Sequence, residues 1–265
     1  MDKLIDLSDL TILMTVYVDS IERLENLLAT SQFLVDHFQT NVWVEEYAPY
    51  CNGLLSSLLD KNIRYTFKAD DDPIFYRTKY LNMMSRSIET KYVSVWDADV
   101  LFPVNQIVQS IESLRTGKVD FVYPYNRQFF DTSSILRKLF LQERNVELLE
   151  RNVLKMNPMY LPCPIGGAFL AKHESYLNAG LENENFYGWG MEDNERYYRW
   201  KECGYSVEFV PGPLFHLSHG RGINSRYHNP DQVFIKNKEF SRVLRSITVD
   251  CSQRSDNLKL VQIVY

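Results

Sequence analysis

Tyr92-Val93-Ser94-Val95-Trp96 runs without a break into Asp97-Ala98-Asp99. Valine and aromatic side chains in a short continuous run fit a strand buried on both faces. The two carboxylates that follow, at i and i+2, point the same way if the extended geometry persists. So close together, they repel unless a cation or hydrogen-bond donors come between them. The plainer alternative makes them turn and helix-capping aspartates, since Pro103 opens a new helix soon after.

Toward the N-terminus, residues 11–18 form another apolar run of strand length, followed by Ile21, Leu24, Leu27, Leu28, Phe33 and Leu34 at helical spacing. Residues 41–45 and 64–67 give two more strands, and 77–87 a helix. Toward the C-terminus, 104–114 is helical and 120–124 is again a strand. Strands alternating with helices imply parallel β-α-β units, which cross over right-handed and cover the sheet on both faces. Ligands in such sheets collect beyond the carboxyl ends of the strands, where Asp97 and Asp99 fall.

The second half is less regular. Residues 134–156 are charged and helix-prone, then Pro158, Pro162 and Pro164 break the chain. A short strand at 168–171, a helix at 194–203 stopped by Gly204, a strand at 207–210 ended by Pro211-Gly212-Pro213, and a closing helix at 232–244 complete the expectation. No repeat, low-complexity tract or linker interrupts the chain, so one domain over 1–265 is expected.

Composition narrows the function classes. The chain has 265 residues, 45% of them hydrophobic and 14% aromatic, as a globular protein with stacking surfaces or an aromatic core would. Its 29 Lys+Arg against 34 Asp+Glu leave a net charge of −5, so no broad footprint for nucleic acid exists. The first residues lack a signal-peptide pattern, and no apolar run approaches the roughly 18 residues of a membrane span. Cys51, Cys163, Cys203 and Cys251 are scattered, which fits reduced thiols in the cytoplasm.

Two further stretches carry chemistry. His216 and His219 stand at i and i+3 in one loop, two of only five histidines. Imidazoles joined to carboxylates suit a divalent ion such as Mn2+, or Mg2+. In Tyr187-Gly188-Trp189-Gly190-Met191-Glu192-Asp193, the glycines allow a backbone that side chains would resist, and Trp189 between them can pack on a sugar ring. Glu192 and Asp193 then open a helix, where the dipole favours carboxylates; one of them could equally serve as the base of a sugar transfer.

Together these residues resemble the β-1,4-galactosyltransferase family and its bacterial relatives, and they occur in that family's order. Phe75-Tyr76-Arg77 resembles the helix-opening motif that holds the uridine nucleotide. Asp97-Ala98-Asp99 resembles the Asp-Val-Asp metal motif, and Ile165-Gly166-Gly167-Ala168 the donor-site segment. Residues 187–194 resemble the tryptophan-glycine-acid motif. The resemblance implies a GT-A fold: a mostly parallel, Rossmann-like α/β sheet flanked by helices, with a nucleotide-binding half over about 1–125 and an acceptor and catalytic half over about 126–265. It implies Asp193 as catalytic base, and Asp99, His216 and His219 as metal ligands. Phe75, Arg77, Asp97, Gly166, Gly167, Trp189 and Glu192 would bind donor or acceptor.

The implied activity is inverting transfer of galactose or N-acetylgalactosamine from a UDP-sugar to a glycan or a lipid-linked saccharide. A lipid-linked acceptor would bring the protein to the membrane surface peripherally, from the cytoplasm. The sequence departs from the family where Pro164 replaces a tyrosine near the donor sugar, where residues 15–19 lack the arginines of the nucleotide turn, and where Asn194 replaces an acid. The alternatives are another UDP-sugar donor, such as glucose or glucuronic acid, and a carbohydrate- or nucleotide-binding protein without catalysis. Residues 134–164 are expected to shape the acceptor site.

Overall fold

The computed structural model describes residues 3–161, 164–225 and 230–251. In chain order the first half contains β1 (Ile5–Val16), α1 (Ile21–His37), β2 (Phe38–Ala48), α2 (Leu54–Leu58), β3 (Arg64–Ala69), α3 (Arg77–Ser85), β4 (Tyr92–Trp96), β5 (Val100–Leu101), α4 (Val104–Arg115) and β6 (Phe121–Tyr123). There follow β7 (Gln128–Asp131), α5 (Ser134–Glu143), α6 (Val146–Arg151), β8 (Asn157–Pro158), β9 (Ala168–Lys172), α7 (His173–Asn178), α8 (Glu192–Glu202), β10 (Val207–Phe209), β11 (Pro213–His216) and α9 (Pro230–Cys251).

The described strands form two sheets. The larger has the order β10-β6-β9-β4-β1-β2-β3. It is parallel except at β9, which runs antiparallel to both β4 and β6. The parallel expectation is therefore met for β1, β2, β3 and β4, and for β6, which runs parallel to β4 with β9 between them. All five residues of β4 are buried, because the strand lies between β1 and β9 and helices cover the sheet. α1 buries Leu24, Leu27, Phe33 and Leu34. Its N-terminus is capped by Ser20, whose hydroxyl accepts from Arg23 N. α4 buries Ile107, Ile111 and Leu114, each such side chain contributing roughly 1.5–3 kcal/mol by leaving water. One hydrophobic cluster runs through this sheet and into Phe129, Leu214, Phe215 and Leu217 around the smaller one.

The smaller sheet, in the order β5-β11-β7-β8, has no counterpart in the expectations. Its strands are two to four residues long. That is too short for alternation to register against the flanking prolines and glycines. The helix expected over 134–156 is also broken. Arg144 adopts a left-handed conformation (φ 54) after α5, and the Asn145 side chain caps α6 by accepting from Glu147 N. Phe140 and Leu149, nine residues apart, would face opposite sides of one straight helix; the break lets both be fully buried.

Among the described residues no helix is long and apolar enough to cross a membrane. Cys51 and Cys203 are free and exposed. Pro162 and Cys163 lie outside the described residues, as does the side chain of Cys251.

Candidate active site

Beyond the carboxyl ends of β1 and β4 lies a cleft of ≈ 490 Å³. Each of the eleven residues singled out from the sequence lines it: Phe75, Arg77, Asp97, Asp99, Gly166, Gly167, Trp189, Glu192, Asp193, His216 and His219. Residues attached to each of the two sheets line it, one wall for each sheet, and Asp97-Ala98-Asp99, the link from β4 to β5, joins them.

On the small-sheet side, Asp99 Oδ2 faces His219 Nε2 at 3.0 Å and His216 Nε2 at 3.6 Å. One ligand atom from each of the three residues lies within 4.8 Å of the others. The opposite ring nitrogens are also engaged. His216 Nδ1 is 2.7 Å from Asp131 Oδ1, and His219 Nδ1 is 2.8 Å from the Gly220 carbonyl. A carboxylate and a carbonyl only accept, so both Nδ1 atoms carry the proton. In the neutral rings both Nε2 lone pairs then turn toward the Asp99 carboxylate, an arrangement that repels itself unless protons or a cation come between. Burial opposes charge on His216, but Asp99 and Asp131 outweigh it and push its pKa up to about 9. Burial would likewise raise the Asp99 carboxyl, yet the two histidines hold it well below the usual carboxylate range. One carboxylate oxygen and two imidazole nitrogens converging this way fit a divalent ion.

Backbone contacts fix this group. Leu217 N donates to the Asp99 carbonyl at 2.7 Å, and the fully buried Asn26 of α1 donates to the Leu217 carbonyl at 2.7 Å. Arg137 of α5 in turn donates to Asn26 at 2.8 Å.

On the large-sheet side, Arg77 at the start of α3 pairs with Asp97 at 2.6 Å. Burial raises the Asp97 pKa, and Asp193 and Asp99 add to this against the pull of Arg77. Arg77 Nη1 is buried without a partner, as is Glu192 Oε2. Such orphaned groups at a cleft are what a bound ligand would satisfy. Glu192 is pushed up to about 7, first by burial and then by the charge of Asp193.

Asp193 stands in the first turn of α8. Its Oδ1 is held at 2.6 Å by Arg196, a side chain 2% exposed that also grips the fully buried Glu182 at 2.8 Å. Its Oδ2 meets Gly166, where an added Cβ would stand 2.6 Å away. Gly166 (φ +143) therefore has to be glycine twice over, for its backbone and for this approach. Gly167 is joined to the acidic pair by Asp97 N, which donates to its carbonyl at 2.7 Å. α8 begins after Met191, a non-glycine residue in the left-handed region (φ 73) with no side-chain cap. Strain of this kind persists where the surroundings enforce it. Trp189, half-buried between Gly188 and Gly190, reaches the cleft, and its carbonyl accepts from Lys236 of α9 at 2.5 Å.

The sequence reading missed Asp131, Arg196 and Lys236. Asp131 ends a four-residue strand and carried no motif. Arg196 sits three residues after Asp193 in a charged run and carried no motif, yet it stacks over Phe169 at 4.5 Å. The residues 15–19 thought to form the nucleotide turn do line the cleft, with Asp19 and Arg23 paired at 3.1 Å.

Residues 158–221 match a family model described as the N-terminal domain of galactosyltransferase. No curated protein matches the chain in sequence. In fold the chain is similar to the catalytic domain of Drosophila beta1,4galactosyltransferase 7 in complex with xylobiose, at TM-score 0.54 and 14% identity, covering 87% of this chain and 80% of that one. It is similar to the mannosyltransferase PcManGT from Pyrobaculum calidifontis in complex with GDP-Man and Mn2+, at TM-score 0.51 and 13% identity, covering 94% and 76%. GalNAc-T7 with UDP, GalNAc and Mn2+ follows at TM-score 0.54 and 10% identity, covering 89% of this chain and 47% of that one. The fold is that of the GT-A glycosyltransferases.

Proposed function

We propose that this chain, a GT-A fold with a galactosyltransferase-family segment over residues 158–221, is a metal-dependent hexosyltransferase that uses a UDP-sugar and inverts the anomeric centre. The donor sugar is galactose or N-acetylgalactosamine, and the acceptor a glycan or lipid-linked saccharide. One observation carries the reading. A three-residue cation site and a carboxylate held by a buried arginine share one cleft, and orphaned buried polar atoms belong to residues that line it.

Asp99, His216 and His219 would hold the ion, Mn2+ or Mg2+, whose charge offsets that of the departing diphosphate. Phe75 and the Arg77–Asp97 pair receive the nucleotide, and the Gly166–Gly167 backbone lets the donor approach closely. Trp189 and Glu192 contact sugar and acceptor. Asp193 takes the acceptor hydroxyl's proton on Oδ2, while Arg196 keeps Oδ1 fixed. As that proton leaves, the acceptor oxygen bonds to the anomeric carbon and the bond to UDP breaks on the opposite face. The chain acts as one domain, its halves over about 1–125 and 126–265 joined by the shared core.

The test is UDP release from UDP-galactose, UDP-N-acetylgalactosamine, UDP-glucose and UDP-glucuronic acid, with Mn2+ and with EDTA. Turnover of a galacto-configured donor that EDTA abolishes and Mn2+ restores is expected. Turnover confined to glucose or glucuronic acid would reassign the donor. No turnover of any nucleotide sugar would overturn the reading.

A further inference from the structure

His216 and His219 present the same ring nitrogen to Asp99, but their other nitrogens are served unequally. His219 Nδ1 has a backbone carbonyl, whereas His216 Nδ1 has a whole carboxylate, Asp131. This pairing follows from the sheet. β7 and β11 run parallel with Asp131 directly beside His216 in the register. The next residue continues the clamp: Thr132 N donates to the His216 carbonyl at 2.9 Å, and Thr132 Oγ1 accepts from Ser218 N at 3.0 Å. Main chain and ring of His216 are thus both tied to Asp131-Thr132. The Asp131 side chain is 28% exposed and that of His216 15%, so the pair is sheltered without being sealed.

We propose that Asp131 is the positioning residue of the metal centre, acting through His216 to keep the proton on Nδ1 and to aim Nε2 at the ion. A carboxylate behind a ligating imidazole fixes its tautomer and orientation and raises its basicity; losing such a partner typically weakens metal binding about 10–100-fold. Asp131 itself stays off the ion. The group of Asp99, His216 and His219 converges without it, and its Oδ1 is committed to the far side of the ring. The inference rests on the metal centre proposed above.

A double-mutant cycle on Mn2+ binding tests it, with free Mn2+ followed by electron paramagnetic resonance and circular dichroism confirming the fold. Asp131→Ala should raise the Kd for Mn2+ by about 10–100-fold. Asp131→Asn should raise it less, because its amide oxygen can still accept from Nδ1. In the His216→Ala background, either change at Asp131 should have no further effect, since the residue acts only through that ring. If Asp131→Ala does not fold, the Asp131→Asn arm carries the same cycle. An unchanged Kd, or equal losses with and without His216, would overturn this inference alone. A wild-type chain that binds no Mn2+ would overturn the metal centre and this inference with it.

Discussion

The two walls of the cleft are built by opposite means. The large-sheet wall stands on strands of up to twelve residues, packed into an apolar core, and on α8, whose Trp200 stacks on Phe121 of β6 at 3.7 Å. The small-sheet wall stands on strands of two to four residues, held by a few ladder bonds and by side chains that reach the backbone. Yet the short wall brings His216, His219 and Asp131, and the long wall brings Arg77, Glu192 and Asp193. Under the proposed roles, binding of the ion and proton transfer fall to different parts of the fold. Changes on the large-sheet wall should disturb chemistry or stability, and changes on the short wall mainly metal affinity.

The sharpest way to break that division is Asp193→Asn. Loss of a general base typically lowers turnover by about 10²–10⁴-fold. Binding of Mn2+ and UDP should survive, because the ion's ligands lie on the other wall. Isothermal titration beside a steady-state assay would check both, and a variant that transferred sugar at the normal rate would remove Asp193 from the mechanism.

The next largest effect is expected from Glu182→Ala. Glu182 is the buried partner of Arg196, with Tyr176 donating to its other oxygen at 2.7 Å. Removing one partner of a buried pair costs about 3–5 kcal/mol, and Asp193, which still pairs with Arg196, keeps the loss toward the lower end. Urea denaturation measures this directly. The same experiment on Asp131→Ala, on the short wall, should show a far smaller loss. Equal losses would show that the two walls share one stability after all.

How much of this was legible follows the same division. The β-α-β rhythm of the first half could be read because β1, α1, β2, α3, β4 and α4 are long enough for their periods or apolar runs to show. The motifs that line the cleft stood out because they lie at the ends of strands and helices, with residue types that chemistry restricts, and the resemblance gave them their proposed roles. His216 and His219 were found through their own spacing, although the strand that places them was invisible. Asp131 could not be found that way. An aspartate 85 positions from the histidine it supports becomes meaningful only when β7 and β11 pair. Arg196 was hidden for another reason. It belongs to no motif, and only burial against Phe169, Trp200 and Glu182 makes it a holder of Asp193.

The smallest predicted effect concerns Glu192, which the large-sheet wall keeps 9% exposed. Its pKa is raised from 4.5 to about 7, by burial first and by Asp193 second, with Arg77 opposing. The folded chain thus holds this proton more tightly than the unfolded chain does, so stability falls as pH rises from about 4.5 to about 7 and the full penalty remains above that. At about 1.4 kcal/mol per unit the ceiling is near 3 kcal/mol. Glu192→Gln removes the ionisation. It should leave stability near pH 4.5 unchanged and raise it by about 1–3 kcal/mol at pH 8, flattening the slope between. Denaturation curves across that range decide the matter. A difference from wild type that did not vary with pH would mean that the wall tolerates the Glu192 charge, and that the contrast between the two sides lies in packing alone.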